Sequence, residues 1–135
     1  MMRRTLFALG ALFLLALFLF PTSRAFAASS KAQLPASNFV ASCSNIRVTG
    51  SGVLTASCRM ANGTPHATAL DLNPFISNNN GTLVAGGSNF VASCSGIGGG
   101  SVLVADCRMR NGTPNFTALD LNPFVNNSNG VLQWG

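Results

Sequence analysis

Apolar and polar residues divide the chain into a leader and a patterned remainder. An apolar stretch runs from Leu6 to Phe20, interrupted only by Gly10, and Pro21 ends it. Arg3 and Arg4 precede it, and Ala25-Phe26-Ala27 follows as a small-x-small signature. A basic start, an apolar middle and that signature predict a secretory signal peptide over residues 1–27, cut after Ala27. The stretch falls short of the roughly 20 apolar residues that a bilayer span needs, so no stable membrane anchor is expected. Residues 28–36 are small and polar with one proline, which predicts a disordered tail.

Beyond the tail the apolar positions come in short groups with partial alternation. Val53-Leu54-Thr55-Ala56-Ser57-Cys58 and Val102-Leu103-Val104-Ala105-Asp106-Cys107 read as strands. Gly50-Ser51-Gly52 and Gly98-Gly99-Gly100 are the expected turns before them. Four Asn-Gly pairs, at Asn62, Asn80, Asn111 and Asn129, predict hairpins, because both residues tolerate positive φ. Asn73-Pro74 and Asn122-Pro123 suit a cap followed by a first helical residue, so a single helical turn is expected at each. The predicted core comprises Phe39, Leu54, Leu70, Leu72, Phe75, Ile76 and Leu83, with Phe90, Leu103, Leu119, Leu121, Phe124, Val125 and Leu132 from the second half.

The halves repeat. SNFVASC begins at Ser37 and again at Ser88; NGTP at Asn62 returns at Asn111; TALDLNPF at Thr68 returns at Thr117. About two-thirds of the aligned positions are identical, which marks a tandem duplication. Repeat 1 covers residues 37–87 and repeat 2 covers residues 88–135. Each is marginal for a free-standing core, so one shared domain over residues 37–135 is expected. The joint around Gly86-Gly87 is too short for an interdomain linker.

Four cysteines follow the same symmetry, Cys43 and Cys58, then Cys94 and Cys107. Three pairings are possible. The repeat favours Cys43–Cys58 and Cys94–Cys107, in keeping with an oxidising destination. Each bridge would stabilise the domain by about 3 kcal/mol through loop entropy. A metal site would need other spacing and more than the single His66.

Charge changes little. After the leader, Lys31, Arg47, Arg59, Arg108 and Arg110 face Asp71, Asp106 and Asp120, a net +2. No basic stripe interleaves with aromatics, so nucleic acid is not an expected partner. Asp71 and Asp120 are repeat equivalents within LDLN, where a turn role fits better than paired acid catalysis. His66 faces Asn115 in the alignment and reads as a surface residue. No nucleophile arrangement and no cofactor motif is recognisable, so a binding module is expected rather than an enzyme. Asn and Ser can donate and accept, as sugar hydroxyls do. The loops Ser77-Asn78-Asn79-Asn80 and Asn126-Asn127-Ser128-Asn129 are candidate combs for such a ligand, or simply solvated hairpin tips.

The order of these motifs resembles the cyanovirin-N homologue family: SNF…C, Val-Leu-x-Ala-x-Cys, LDLN, then N-x-x-NG-x-L, twice, with one disulfide per repeat. The resemblance covers residues 37–135. It implies an all-β fold of two pseudo-symmetric repeats that exchange hairpins, with short single-turn helices. It also implies a lectin for mannose-type glycans, with oligosaccharides or glycoproteins as partners and two separated sites. One site would use Asn38, Ala41, Ser42, Arg59, Ala61, Asn62, Asn127, Ser128 and Asn129. The other would use Ser77, Asn80, Ser88, Asn89, Ala92, Ser93, Met109 and Arg110. Several positions depart from the family pattern. Ala41 and Ala92 replace longer polar residues, Arg59 and Ser77 stand where acids are typical, and Asn80 and Asn129 replace turn aspartates. Trp134 has only Ala85 as its counterpart, which predicts a smaller first-lobe core or a packing gap. The alternative function is a secreted structural or protein-interaction module on the same scaffold. A glycine-rich joint allows either a monomer or a hairpin-swapped dimer. Asn80, Asn115 and Asn126 are N-glycosylation acceptors by sequence.

Overall fold

The computed structural model describes residues 37–135. The expected signal peptide and tail lie outside the described residues.

In repeat 1, a 3-10 helix at Phe39–Ala41 leads into β1 (Cys43–Val48), β2 (Val53–Arg59) and β3 (Pro65–Asp71), then the hairpin β4 (Ile76–Asn79) and β5 (Thr82–Ala85). Repeat 2 follows the same order. A 3-10 helix at Phe90–Ala92 precedes β6 (Cys94–Gly99), β7 (Val102–Arg108) and β8 (Pro114–Asp120), then the hairpin β9 (Val125–Ser128) and β10 (Val131–Trp134). Two three-stranded antiparallel sheets, β1-β2-β3 and β6-β7-β8, form alongside the two hairpins.

Alternation on the central strands sets the inside of each sheet. Leu54, Ala56 and Cys58 are buried on β2, and Leu103, Ala105 and Cys107 on β7. Cys43 lies opposite Cys58 and Cys94 opposite Cys107 in the strand register. Both bridges form as the repeat predicts. Neither three-stranded sheet covers its own apolar face. The hairpin β9-β10 packs on β3, and β4-β5 packs on β8, so each lobe is closed by the other repeat. A threonine ties a backbone amide in each exchanged hairpin. Leu132 N donates to Thr68 Oγ1 and Leu83 N to Thr117 Oγ1, both at 3.1 Å. Thr117 is the buried polar residue of the core, and this bond satisfies it.

Of the expected core, Phe39, Leu54, Leu72, Ile76, Leu83, Phe90, Leu103, Leu121, Val125 and Leu132 are buried. Leu70, Phe75 and Leu119 are half-buried against that cluster. Phe124 is half-buried as well, and it belongs to an aromatic stack. The Trp134 ring stacks on both Phe75 and Phe124, with centroids 5.1 and 5.3 Å away and nearly parallel planes. One indole therefore joins equivalent phenylalanines of both repeats. Ala85 pairs with Ile76 as Trp134 pairs with Val125, so the two hairpin ends are equivalent in register and unequal in side chain.

The structure refines three local expectations. Asn73-Pro74 and Asn122-Pro123 lie in isolated hydrogen-bonded turns, closed by Phe75 N on Leu72 O and Phe124 N on Leu121 O at 3.0 Å, that do not extend into a helix. The Asp71 and Asp120 carboxylates accept from Asn73 N and Asn122 N at 3.0 Å, closing an Asx-turn just before each. The single-turn helices stand instead at Phe39–Ala41 and Phe90–Ala92. Gly98 and Gly99 pair within β6, which leaves the shorter hairpin to turn at Gly100-Ser101. All four Asn-Gly pairs turn antiparallel hairpins as expected, but only Asn80-Gly81 and Asn129-Gly130 hold two positive φ values and make two-residue turns. At Asn62 and Asn111 the glycine alone is positive, and each belongs to a longer loop.

Candidate functional site

Each exchanged hairpin ends in a polar tip that touches the partner repeat, and two equivalent loop clusters result. In the first, the Asn127 side chain sits at the centre. Its Nδ2 donates to Ser42 Oγ and to Arg59 O, both at 2.9 Å. Its Oδ1 accepts from Gly130 N at 2.7 Å. Asn129 Oδ1 accepts from Ala61 N at 2.7 Å, which fixes the loop after Cys58. In the second cluster, Asn78 Nδ2 donates to Ser93 Oγ and Arg108 O at 2.9 Å, and Asn78 Oδ1 accepts from Gly81 N at 2.7 Å. Asn80 Oδ1 accepts from Arg110 N at 2.8 Å.

The tips can approach so closely because they carry glycine. A Cβ on Gly81 would stand 2.7 Å from Met109 Cγ, and one on Gly130 would stand 2.7 Å from Met60 Cγ. Their φ angles, +93° and +91°, also favour glycine over any side chain. Asn115 Nδ2 adds a bond to Gly81 O at 2.9 Å.

The short helices that frame the clusters are capped from the opposite repeat. Asn122 Oδ1 accepts from Val40 N at 3.1 Å, and Asn73 Oδ1 accepts from Val91 N at 3.0 Å. These asparagines do cap helices, as their sequence context suggests, but helices distant in the chain. Asn122 Nδ2 also donates to Asn38 Oδ1 at 2.9 Å. The counterpart, Asn89, adopts a left-handed conformation with φ 73°. Its backbone N donates to Asn73 O at 2.7 Å, so the chain leads into the two short helices by different paths.

The structure thus brings together Ser42, Asn127, Asn129 and the Arg59 carbonyl in one cluster. It brings Ser93, Asn80, the Arg110 amide and the Arg108 carbonyl together in the other. Asn38 joins the first through Asn122. Asn62 turns back on its own loop, accepting from Thr64 N at 2.9 Å. Ser128 is exposed on β9 beside the tip. Ser77 lies at the far end of its hairpin, where a Cβ on Gly87 would stand 2.9 Å from its side chain. It is therefore set back from the Asn80 tip. Ser88 and Asn89 are exposed at the start of repeat 2, and Ala41 and Ala92 are exposed on the helices. Arg59, Arg108 and Arg110 are exposed, and no carboxylate belongs to either cluster among the described residues. Asn78, which belongs to the candidate comb Ser77-Asn78-Asn79-Asn80 but not to the site that the family resemblance implies, does what its repeat equivalent Asn127 does.

Asparagine and serine side chains and backbone groups make up both loop clusters. What they offer is a set of hydroxyls, amides and backbone groups held in place by side-chain clamps.

A family profile described as the CVNH domain matches residues 39–133. No curated protein matches the chain significantly. Among solved structures, the CVNH protein of T. borchii is 33% identical with a TM-score of 0.66, over 73% of this chain and 99% of that one. The CVNH protein of Gibberella zeae is 31% identical with a TM-score of 0.64, over 72% and 96%. Microvirin, solved in a complex with mannobiose, is 29% identical with a TM-score of 0.63, over 73% and 99%. With the profile spanning most of the chain and the exchanged hairpins in place, the chain belongs to the cyanovirin-N homologue family.

Proposed function

We propose that this protein is a secreted lectin that binds mannose-type glycans through the two loop clusters, with up to two sites per chain. The observation that carries the reading is the pair of clamped tips, Asn127 on Ser42 and Asn78 on Ser93. Sugar hydroxyls donate and accept at once, and a loop ordered in advance loses little entropy on binding. Ser42 and Ser93, the Nδ2 groups of Asn129 and Asn80, and exposed Asn89 are the groups expected to face the ligand. Similarity to microvirin, which was solved with mannobiose, supports the ligand class. Two weak sites on one chain would give avidity toward a multivalent glycoprotein. The apolar leader with its Ala25-Phe26-Ala27 signature supports secretion.

A broad glycan array tests this reading with the oxidised chain, residues 28–135. Binding centred on mannosides is expected. A folded protein that retains no glycan refutes it.

The second reading is a secreted structural or protein-interaction module. Ala41 and Ala92 favour it, since each leaves a short side chain at a cluster edge. A protein partner whose capture is unaffected by competing mannose would support it.

A further inference from the structure

The outer faces of the two three-stranded sheets are equivalent in backbone and different in side chains. On the first sheet, Thr55 and Ser57 lie opposite Ala69 and Ala67. With Asn45 they line a groove of about 520 Å³. It shares no residue with either loop cluster. On the second sheet, Phe116 takes the place of Ala67, lies opposite Asp106 and is 67% exposed. A phenylalanine that open to water adds little apolar burial to its own lobe.

The charges differ in the same sense. Arg47 lies opposite Thr55, on the face that holds the groove. Its counterpart Gly98 lies opposite Val104 and carries no side chain. Asp106 stands beside Phe116, while its counterpart Ser57 is neutral. One face is a hollow next to a cation; the other is a knob next to an anion. Three of the positions where the repeats differ combine to make the faces complementary.

We propose that Phe116 of one copy inserts into the groove on the first sheet of a second copy, with Asp106 meeting Arg47. The groove is roomy enough for a phenyl ring. The contact joins unlike faces, so it is heterologous and links chains head to tail. One ring and one charge pair make less than a standard interface, so association is weak and rapidly exchanging. Hairpin exchange between chains would differ on both counts, because the lobes must open for it.

Sedimentation of the oxidised chain, residues 28–135, over about 10 µM to 1 mM tests the proposal in the concentration range of weak contacts. The average mass should rise with concentration and fall as salt screens the charge pair. Phe116→Ala removes the knob and Ala67→Phe fills the groove. Both positions are exposed, so each variant should fold and associate about tenfold or more weakly. A mixture of the two variants should recover a 1:1 pair that grows no further, since one keeps only a groove and the other only a knob. Asp106→Lys should weaken association, and Arg47→Glu on the partner should restore it. Monomer at every concentration would overturn the proposal. So would a dimer that survives Phe116→Ala and persists on dilution, the behaviour of exchanged hairpins. Shifts of the Phe116 amide on adding mannobiose would assign the ring to sugar and overturn it as well.

Discussion

Asn127 Nδ2 lies 2.9 Å from Ser42 Oγ, across 85 residues of sequence. The same side chain reaches Arg59 O and Gly130 N, so one amide ties an exchanged hairpin to the sheet of the other repeat. Asn127→Ala removes all three bonds and leaves the Arg59 carbonyl without this partner. Loss of about 1–3 kcal/mol is expected, read from the urea midpoint at unchanged slope. Asn78→Ala should cost the same within the spread of such measurements, because its bonds have the same lengths. A change under about 0.5 kcal/mol in both would place them with ordinary surface substitutions.

Trp134 is the single tryptophan of the chain, so its fluorescence reports the junction between repeats. Trp134→Ala removes a ring stacked on two others and should cost about 3 kcal/mol, the lower end for large aromatic truncations because the indole is half-buried. Ala85→Trp is the more telling change. It places a second indole on the equivalent hairpin end, and a loss of about 1–3 kcal/mol is expected from overpacking. Stabilisation by Ala85→Trp would mean that the first lobe has the room its short side chain suggests.

Gly130→Ala should destabilise by about 1–3 kcal/mol, because the added methyl meets Met60 and the backbone there is left-handed. Combining it with Met60→Ala should recover only the Met60 part, leaving the contact with His66 Cβ at 3.0 Å and the backbone cost. Full recovery in the double variant would show that steric contact alone sets the choice of glycine.

The bridges close loops with sequence separations of 15 and 13 residues. Replacing Cys94 and Cys107 by alanine should cost about 3 kcal/mol by loop entropy, and the Cys43 and Cys58 pair about as much. Equilibrium unfolding of the two variants checks both values. A much larger loss from one pair would show that its lobe depends on the bridge for packing as well.

The duplication made most of the fold legible. Buried Leu54 and Leu103, the paired cysteines and the I′ turns at Asn80 and Asn129 follow from strand period and turn chemistry. The misplaced elements each have a physical cause. Asn73 and Asn122 carry the sequence mark of a cap, but the amides they cap belong to the opposite repeat, and local sequence cannot name a partner so distant. Gly98-Gly99 reads as a turn by composition, yet register with Val104 and Leu103 keeps both residues in the strand. In the loop clusters, residue type placed Asn80 and Asn127 in polar combs, and the family resemblance added Ser42 and Ser93. Neither could reveal that the Asn127 amide and the Asn80 carbonyl oxygen are spent on holding the loops. Residue type places Asn78 in the same comb as Asn80, and the repeat makes it the equivalent of Asn127.

The most direct test of glycan binding is an amide NMR titration of the oxidised chain, residues 28–135, with α1-2-linked dimannose. The account predicts shifts confined to Asn38, Ser42 and Asn127 to Asn129, or to Asn80, Asn89 and Ser93, or to both groups. A well-dispersed spectrum that does not move at millimolar sugar would contradict it.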